Sequence, residues 1–132
     1  IDKLAEVLDM GGFIDRRTDG FSQGQRVKVA IARALIHEPG TILLDEPTNG
    51  LDVMTTRSLR EFLLRLKMEG RCVVLSTHIM QEVAALCDRI VIIAEGRIAA
   101  EGSAQQLLER SGEDSLEDAF VKLIGSDEGL LA

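Results

Sequence analysis

Thr41-Ile42-Leu43-Leu44 is an apolar run no longer than a strand, stopped at once by Asp45-Glu46-Pro47. A short apolar run bounded in this way suits a buried parallel strand. Its C-terminal end carries two adjacent carboxylates, and that end is where open α/β sheets hold their ligands.

The remaining pattern alternates around that strand. Residues 1–8 have helical apolar spacing at Leu4, Val7 and Leu8, and Gly11-Gly12 breaks it before the polar loop at 15–20. With no capping residue ahead of Ile1, this helix reads as one caught mid-course, and a cut chain is expected. A second helix is predicted over 22–37 with Val27, Ala30, Ile31, Ala34 and Leu35 inward, ended by Pro39-Gly40. A long helix over 53–69 turns Leu59, Phe62, Leu63 and Leu66 inward; strand 72–75, helix 79–86 and strand 90–94 follow. Glu95-Gly96 reads as a tight turn into a hairpin strand over 97–100. A short helix over 104–109 precedes a last one with its stripe at Leu116, Ala119, Phe120, Leu123 and Ile124. Strands alternating with helices predict an α/β fold, a mostly parallel sheet with flanking helices.

Composition narrows the function classes. With 132 residues, 45% apolar and 28% charged, the chain can bury one modest core. No apolar run approaches the roughly 20 residues that cross a bilayer, and no basic-apolar leader is present. A soluble protein able to dock on a membrane protein is expected. Cys72 and Cys87 sit in apolar segments without CxxC or Cys/His spacing, which predicts buried, reduced thiols in a cytoplasmic setting. The net charge is −7, and from Glu101 onward eight acids face two bases. That balance disfavours nucleic-acid binding through a broad basic face, and the tail reads as a solvated helix surface.

Neighbouring strand residues point to opposite faces, so the two acids are offered different tasks. Asp45 suits a magnesium ion held through water, and Glu46 suits a water attacking a phosphoryl group. Taken alone, such a strand end is equally compatible with a solvated helix cap. Phe21-Ser22-Gln23-Gly24-Gln25 precedes it, Asn49-Gly50-Leu51-Asp52 follows it, and Ser76-Thr77-His78 closes the next strand. In this order and spacing the four segments resemble the ATP-binding-cassette family: signature motif, Walker B strand, D-loop and H-loop. The resemblance implies a partial P-loop NTPase fold and an ATPase using ATP and Mg²⁺. Ser22, Gly24 and Gln25 would contact ATP held by a partner subunit, and Asp45 would hold the metal. Glu46 and His78 would be catalytic, and Asp52 would be the D-loop acid at the dimer interface. By order, residues 1–38 would be the remnant of the helical subdomain, 39–100 the Walker B, D-loop and H-loop core, and 101–132 an acidic helical tail.

Plainer roles stand beside these. Ser22 and Asp52 suit ordinary helix N-caps, His78 and His37 suit solvated positions, and Arg26, Lys28 and Arg33 suit solvated or paired cations. The family's usual signature leucine is Phe21 here and its first glycine is Gln23. None of Lys3, Lys28, Lys67 or Lys122 follows a glycine, so the phosphate-loop motif GxxxxGK[ST] does not occur in these residues. The likeness is strongest to the bacterial exporter branch, its sodium-exporting ATPase subunits in particular. That implies a second cassette and an integral-membrane permease as partners, at the cytoplasmic face of a bacterial membrane. The alternatives are a soluble, non-transport cassette ATPase, or a truncated non-catalytic binding fragment. Without a phosphate loop the isolated chain is expected to be inactive, with an apolar sheet edge exposed.

Overall fold

The computed structural model describes residues 2–125, so a helix start at Ile1 and the last residues of the acidic tail lie outside the described residues. The chain forms two compact units, dividing between His78 and Ile79.

The first unit contains α1 (Asp2–Val7), a 3₁₀ turn (Thr18–Gly20), α2 (Gln23–Leu35), β1 (Thr41–Asp45), α3 (Val53–Met68) and β2 (Cys72–Ser76). β1 and β2 pair in parallel, with Leu43 opposite Val74 and Asp45 opposite Ser76. Parallel neighbours need a crossover, and α3 supplies it. Its Leu59, Phe62, Leu63 and Leu66 are buried, as their spacing predicts. Each such side chain taken from water contributes about 1.5–3 kcal/mol, so this stripe fixes how α3 lies against β2.

Sequence expectations change here for β1, for Cys72 and for α2. Strand β1 buries only alternate residues: Ile42 and Leu44 are inside, whereas Leu43 is 73% exposed and its neighbour Val74 52%. Cys72 falls on the same open face and is exposed, so the expectation of a buried thiol fails for it, while Cys87 is half-buried. On α2, Ile31 and Leu35 are buried and Ala30 is exposed. Lys28 takes the remaining buried position in that stripe, because residues 28, 31 and 35 share a helical face.

The second unit contains α4 (Met80–Leu86), β3 (Ile90–Ala94), β4 (Arg97–Gly102), α5 (Ala104–Ser111) and α6 (Leu116–Gly125). β3 pairs antiparallel with β4 in a sheet of its own, with an irregularity between Ile92 and Ile93. Glu95 and Gly96 at the turn have φ of 51° and 75°, the sign pattern of the type I′ turn that suits a right-twisted hairpin. Ile92, Ala99, Ala100, Leu107 and Leu123 form its core, with Phe120 and Ile124 packed on them. Among the described residues, no helix is long and apolar enough to cross a membrane.

Candidate functional site

The parallel register decides what the acids at the end of β1 meet. Ser76, opposite Asp45, donates its hydroxyl hydrogen to Asp45 Oδ1 at 2.8 Å. One residue on, the Glu46 N–H donates to the Ser76 carbonyl at 2.9 Å, carrying the ladder past the strand. Glu46 there has φ of 44°, a left-handed conformation that costs a non-glycine residue on the order of 1–2 kcal/mol. Strain of this kind persists where the surroundings over-determine it. The turn swings the Glu46 side chain toward the loop after β2, where Oε1 lies 2.8 Å from His78 Nδ1. The other oxygen, Oε2, is buried and has no hydrogen-bond partner among the described residues. An acceptor left in that condition is costly, and it marks a position where a water or ligand donor fits.

At the start of α2 the polar groups are satisfied locally. The Gln25 N–H donates to Ser22 Oγ at 3.2 Å and the Ser22 N–H to Gln25 Oε1 at 3.0 Å, a reciprocal capping box. The box uses the serine oxygen as an acceptor, so its hydroxyl hydrogen remains able to donate. The next residues are held against another loop: a Cβ at Gly24 would stand 2.8 Å from the Gly50 carbonyl oxygen. Glycine is thus required at 24 by packing within this chain.

Asp52 caps α3. Its carboxylate accepts from the Thr55 N–H at 2.9 Å and from the Thr55 hydroxyl. These bonds, with the nearby Lys28 ammonium, hold its carboxyl below the ordinary aspartate value of 3.8.

Among the described residues, no group of three His, Cys, Asp or Glu side chains forms a metal cage. Magnesium does not need one, because it takes one or two carboxylates and completes its shell with water and phosphate oxygens. Asp45, exposed at the end of β1 and fixed through one oxygen, fits that role. The partnerless Glu46 Oε2 beside it fits a water.

Known proteins are similar to this chain in sequence and fold. The family model described as "ABC transporter" matches residues 1–49. ABC transporter ATP-binding protein NatA of Bacillus subtilis is 44% identical over 121 residues, covering 92% of this chain and 49% of that protein. A solved structure of an ATP binding subunit of an ABC transporter superposes with a TM-score of 0.85 at 31% identity, covering 92% of this chain and 51% of that one. This chain belongs to the ABC transporter ATPase family. Nod factor export ATP-binding protein I of Rhizobium meliloti is a further relative, 38% identical over 83% of this chain and 32% of its own length. The chain spans about half the length of NatA and less of the Nod factor protein.

Asp45, Glu46 and His78, which the motif resemblance leads one to expect as Walker B and H-loop residues, come together at the ends of β1 and β2. The segment at 21–25, expected as the signature motif, meets the loop at 49–52, expected as the D-loop, through Gly24 and Gly50. Three residues outside the expected set also take part. Ser76 fixes Asp45, Thr55 fixes Asp52, and Lys28 reaches both Asp9 and Asp52. Lys28 left a signal in sequence, its place in the stripe with Ile31 and Leu35; Ser76 left none, since its partner depends on strand register. Arg26 and Arg33 are exposed on α2, and His37 is exposed beyond its end.

Proposed function

We propose that this chain supplies half of a composite ATP site in the ATP-hydrolysing subunit of a transporter, with Glu46 and His78 as the catalytic pair. The observation that carries the reading is the Glu46 side chain: strained backbone, one oxygen 2.8 Å from His78 and the other buried without a partner among the described residues. A carboxylate in that state can orient or deprotonate a water aimed at the γ-phosphate. His78 holds the carboxylate in place and stands where its ring can reach a phosphate oxygen.

Asp45, oriented by Ser76, would hold magnesium through water, and the ion would supply charge neutralisation to the phosphates. Ser22, Gly24 and Gln25 present a hydroxyl and helix-start amides to the ATP of the facing subunit, where helix geometry favours an anion. Asp52 lies at the interface between the two cassettes. Residues 1–38 thus read as the signature-bearing part, 39–100 as the Walker B to hairpin core and 101–132 as an acidic tail. Two such subunits, paired with an integral-membrane permease at the cytoplasmic face, would couple ATP turnover to transport. The similarity to a Nod factor export ATP-binding protein supports export as the direction.

The test is magnesium-dependent ATP hydrolysis by the full-length protein carrying this sequence, with Glu46→Gln beside it. Loss of turnover with nucleotide binding retained supports the reading; turnover indifferent to Glu46→Gln overturns it. The 132 residues alone are expected to be inactive and to regain Glu46-dependent turnover when mixed with a complete cassette. Robust turnover by the 132 residues alone would refute the need for a phosphate loop from elsewhere.

A further inference from the structure

We propose that Lys28 is a positioning residue that ties the signature helix to the D-loop, holding the phosphate-facing segment Ser22-Gln23-Gly24 and the interface acid Asp52 in one arrangement. The proposal rests on the ATPase reading above.

Lys28 is unusual among the cations of α2. Its side chain is only 9% exposed, against 86% for Asp9 and 60% for Asp52. An ammonium removed this far from water needs partners. It donates to the Asp9 carbonyl oxygen at 3.3 Å, and Asp9 Oδ2 lies 3.6 Å away. Asp52 Oδ2 lies at 3.9 Å, too long for a hydrogen bond and short enough for an electrostatic tether. One buried charge on α2 therefore reaches both the turn after α1 and the cap of α3.

A packing contact joins the same two segments independently. The Gly24 backbone lies so close to the Gly50 carbonyl oxygen that a Cβ would stand 2.8 Å from it. Gln23 packs over the same glycine, its side-chain atoms 3.6 to 3.7 Å from where a Gly50 Cβ would be. Residues 24 and 28 are one turn apart and share a helical face. That face meets the D-loop twice, through backbone contact at its first turn and through charge at its second. Asp52 is itself fixed by Thr55, so a tether to Asp52 is a tether to the start of α3.

This arrangement bears on turnover through geometry. Both the signature segment and the D-loop acid face the second subunit on the proposed reading, and a displacement of roughly 1 Å near reacting groups can reduce a rate about 100-fold. Lys28 touches no nucleotide in this scheme. It sets where the groups that do are held.

The experiment uses the full-length protein carrying this sequence, with Lys28→Met, Lys28→Arg, Asp9→Asn and Asp52→Asn. The first readout is hydrogen exchange without nucleotide. Lys28→Met is expected to speed exchange in residues 46–56 several-fold while β2 stays protected. Lys28→Arg should restore the wild-type pattern, and Asp9→Asn should leave it intact because the Asp9 carbonyl remains. The second readout is kinetic: Lys28→Met lowers kcat about tenfold with KM for ATP within about twofold, and combining it with Asp52→Asn adds little further loss. Unchanged exchange in residues 46–56, or fully additive effects of the two substitutions, overturns the proposal. Should Lys28→Met fail to fold, Asp52→Asn decides, since asparagine keeps the Oδ1 acceptor that caps α3 and removes the charge facing Lys28; unchanged exchange there overturns it too. A wild-type protein without ATP turnover sinks the ATPase reading, and the exchange result still judges Lys28.

Discussion

The starts of α2 and α5 are built alike. Ser22 with Gln25 and Ser103 with Gln106 form the same reciprocal capping box, and the serine oxygen accepts at 3.2 Å in both. Their second helical positions differ. At α2 it is Gly24, which leaves no side chain over the helix end and lets the Gly50 carbonyl approach. At α5 it is Gln105, whose amide donates to Glu109 Oε1 at 2.8 Å. Cations Arg26 and Lys28 follow the first box, whereas the acids Glu101 and Glu109 flank the second. An identical cap starts both helices, and on the proposed reading only the one at α2 also faces an anion. Charge and access around the cap distinguish the two.

The sharpest break in that comparison comes from outside both boxes. Glu46→Gln in the full-length protein should lower ATP turnover about 100-fold or more while the melting temperature and nucleotide binding hold. The cap residues cannot do this, because they supply binding and not proton transfer. Next in size is Gly24→Ala, whose methyl would meet the Gly50 carbonyl. It should destabilise by about 1–3 kcal/mol, read as a lower urea midpoint, whereas Gln105→Ala at the matching position of α5 should be nearly silent. Ser22→Ala and Ser103→Ala form the matched pair. Each should lose about 1 kcal/mol, and only Ser22→Ala should also reduce turnover. Equal kinetic effects from both would remove the distinction drawn between the two helix starts.

The smallest effect is expected from acid. Hydrogen bonds from Thr55, helped by the Lys28 ammonium, hold the Asp52 carboxyl below 3.8. A group with a depressed folded value stabilises the folded state above its unfolded value, and the contribution disappears as pH falls through the folded one. The urea midpoint of the wild type should therefore fall more steeply than that of Asp52→Asn below pH 3.8, the ordinary value for the group. Parallel curves would show that the cap does not depend on charge.

Local pattern accounts for most of the elements. The helical stripe of α3, the strand at Ile90–Ala94, the Glu95-Gly96 turn and the N-cap roles of Ser22 and Asp52 follow from residues within a turn or two of each other. The family motifs are legible for the same reason, since each is a short run of fixed chemistry. Burial was less legible. Leu43 and Cys72 look like core residues from composition, yet they lie on the open face of a two-stranded sheet. Whether an apolar strand position is covered depends on what packs over it.

The sequence by itself determined the order of elements, the helix caps and the carboxylates at the end of β1, because these depend on neighbours along the chain. Tertiary structure alone decided which of those groups act together. Asp45 is held by Ser76 and Glu46 meets His78 because β1 and β2 pair in one parallel register. Lys28 can be buried because the turn after α1 and the start of α3 bring oxygen atoms to it. Such partners lie far apart in sequence, and no local rule encodes a register or a desolvated ion's neighbours. The closing of the chain upon itself supplies them.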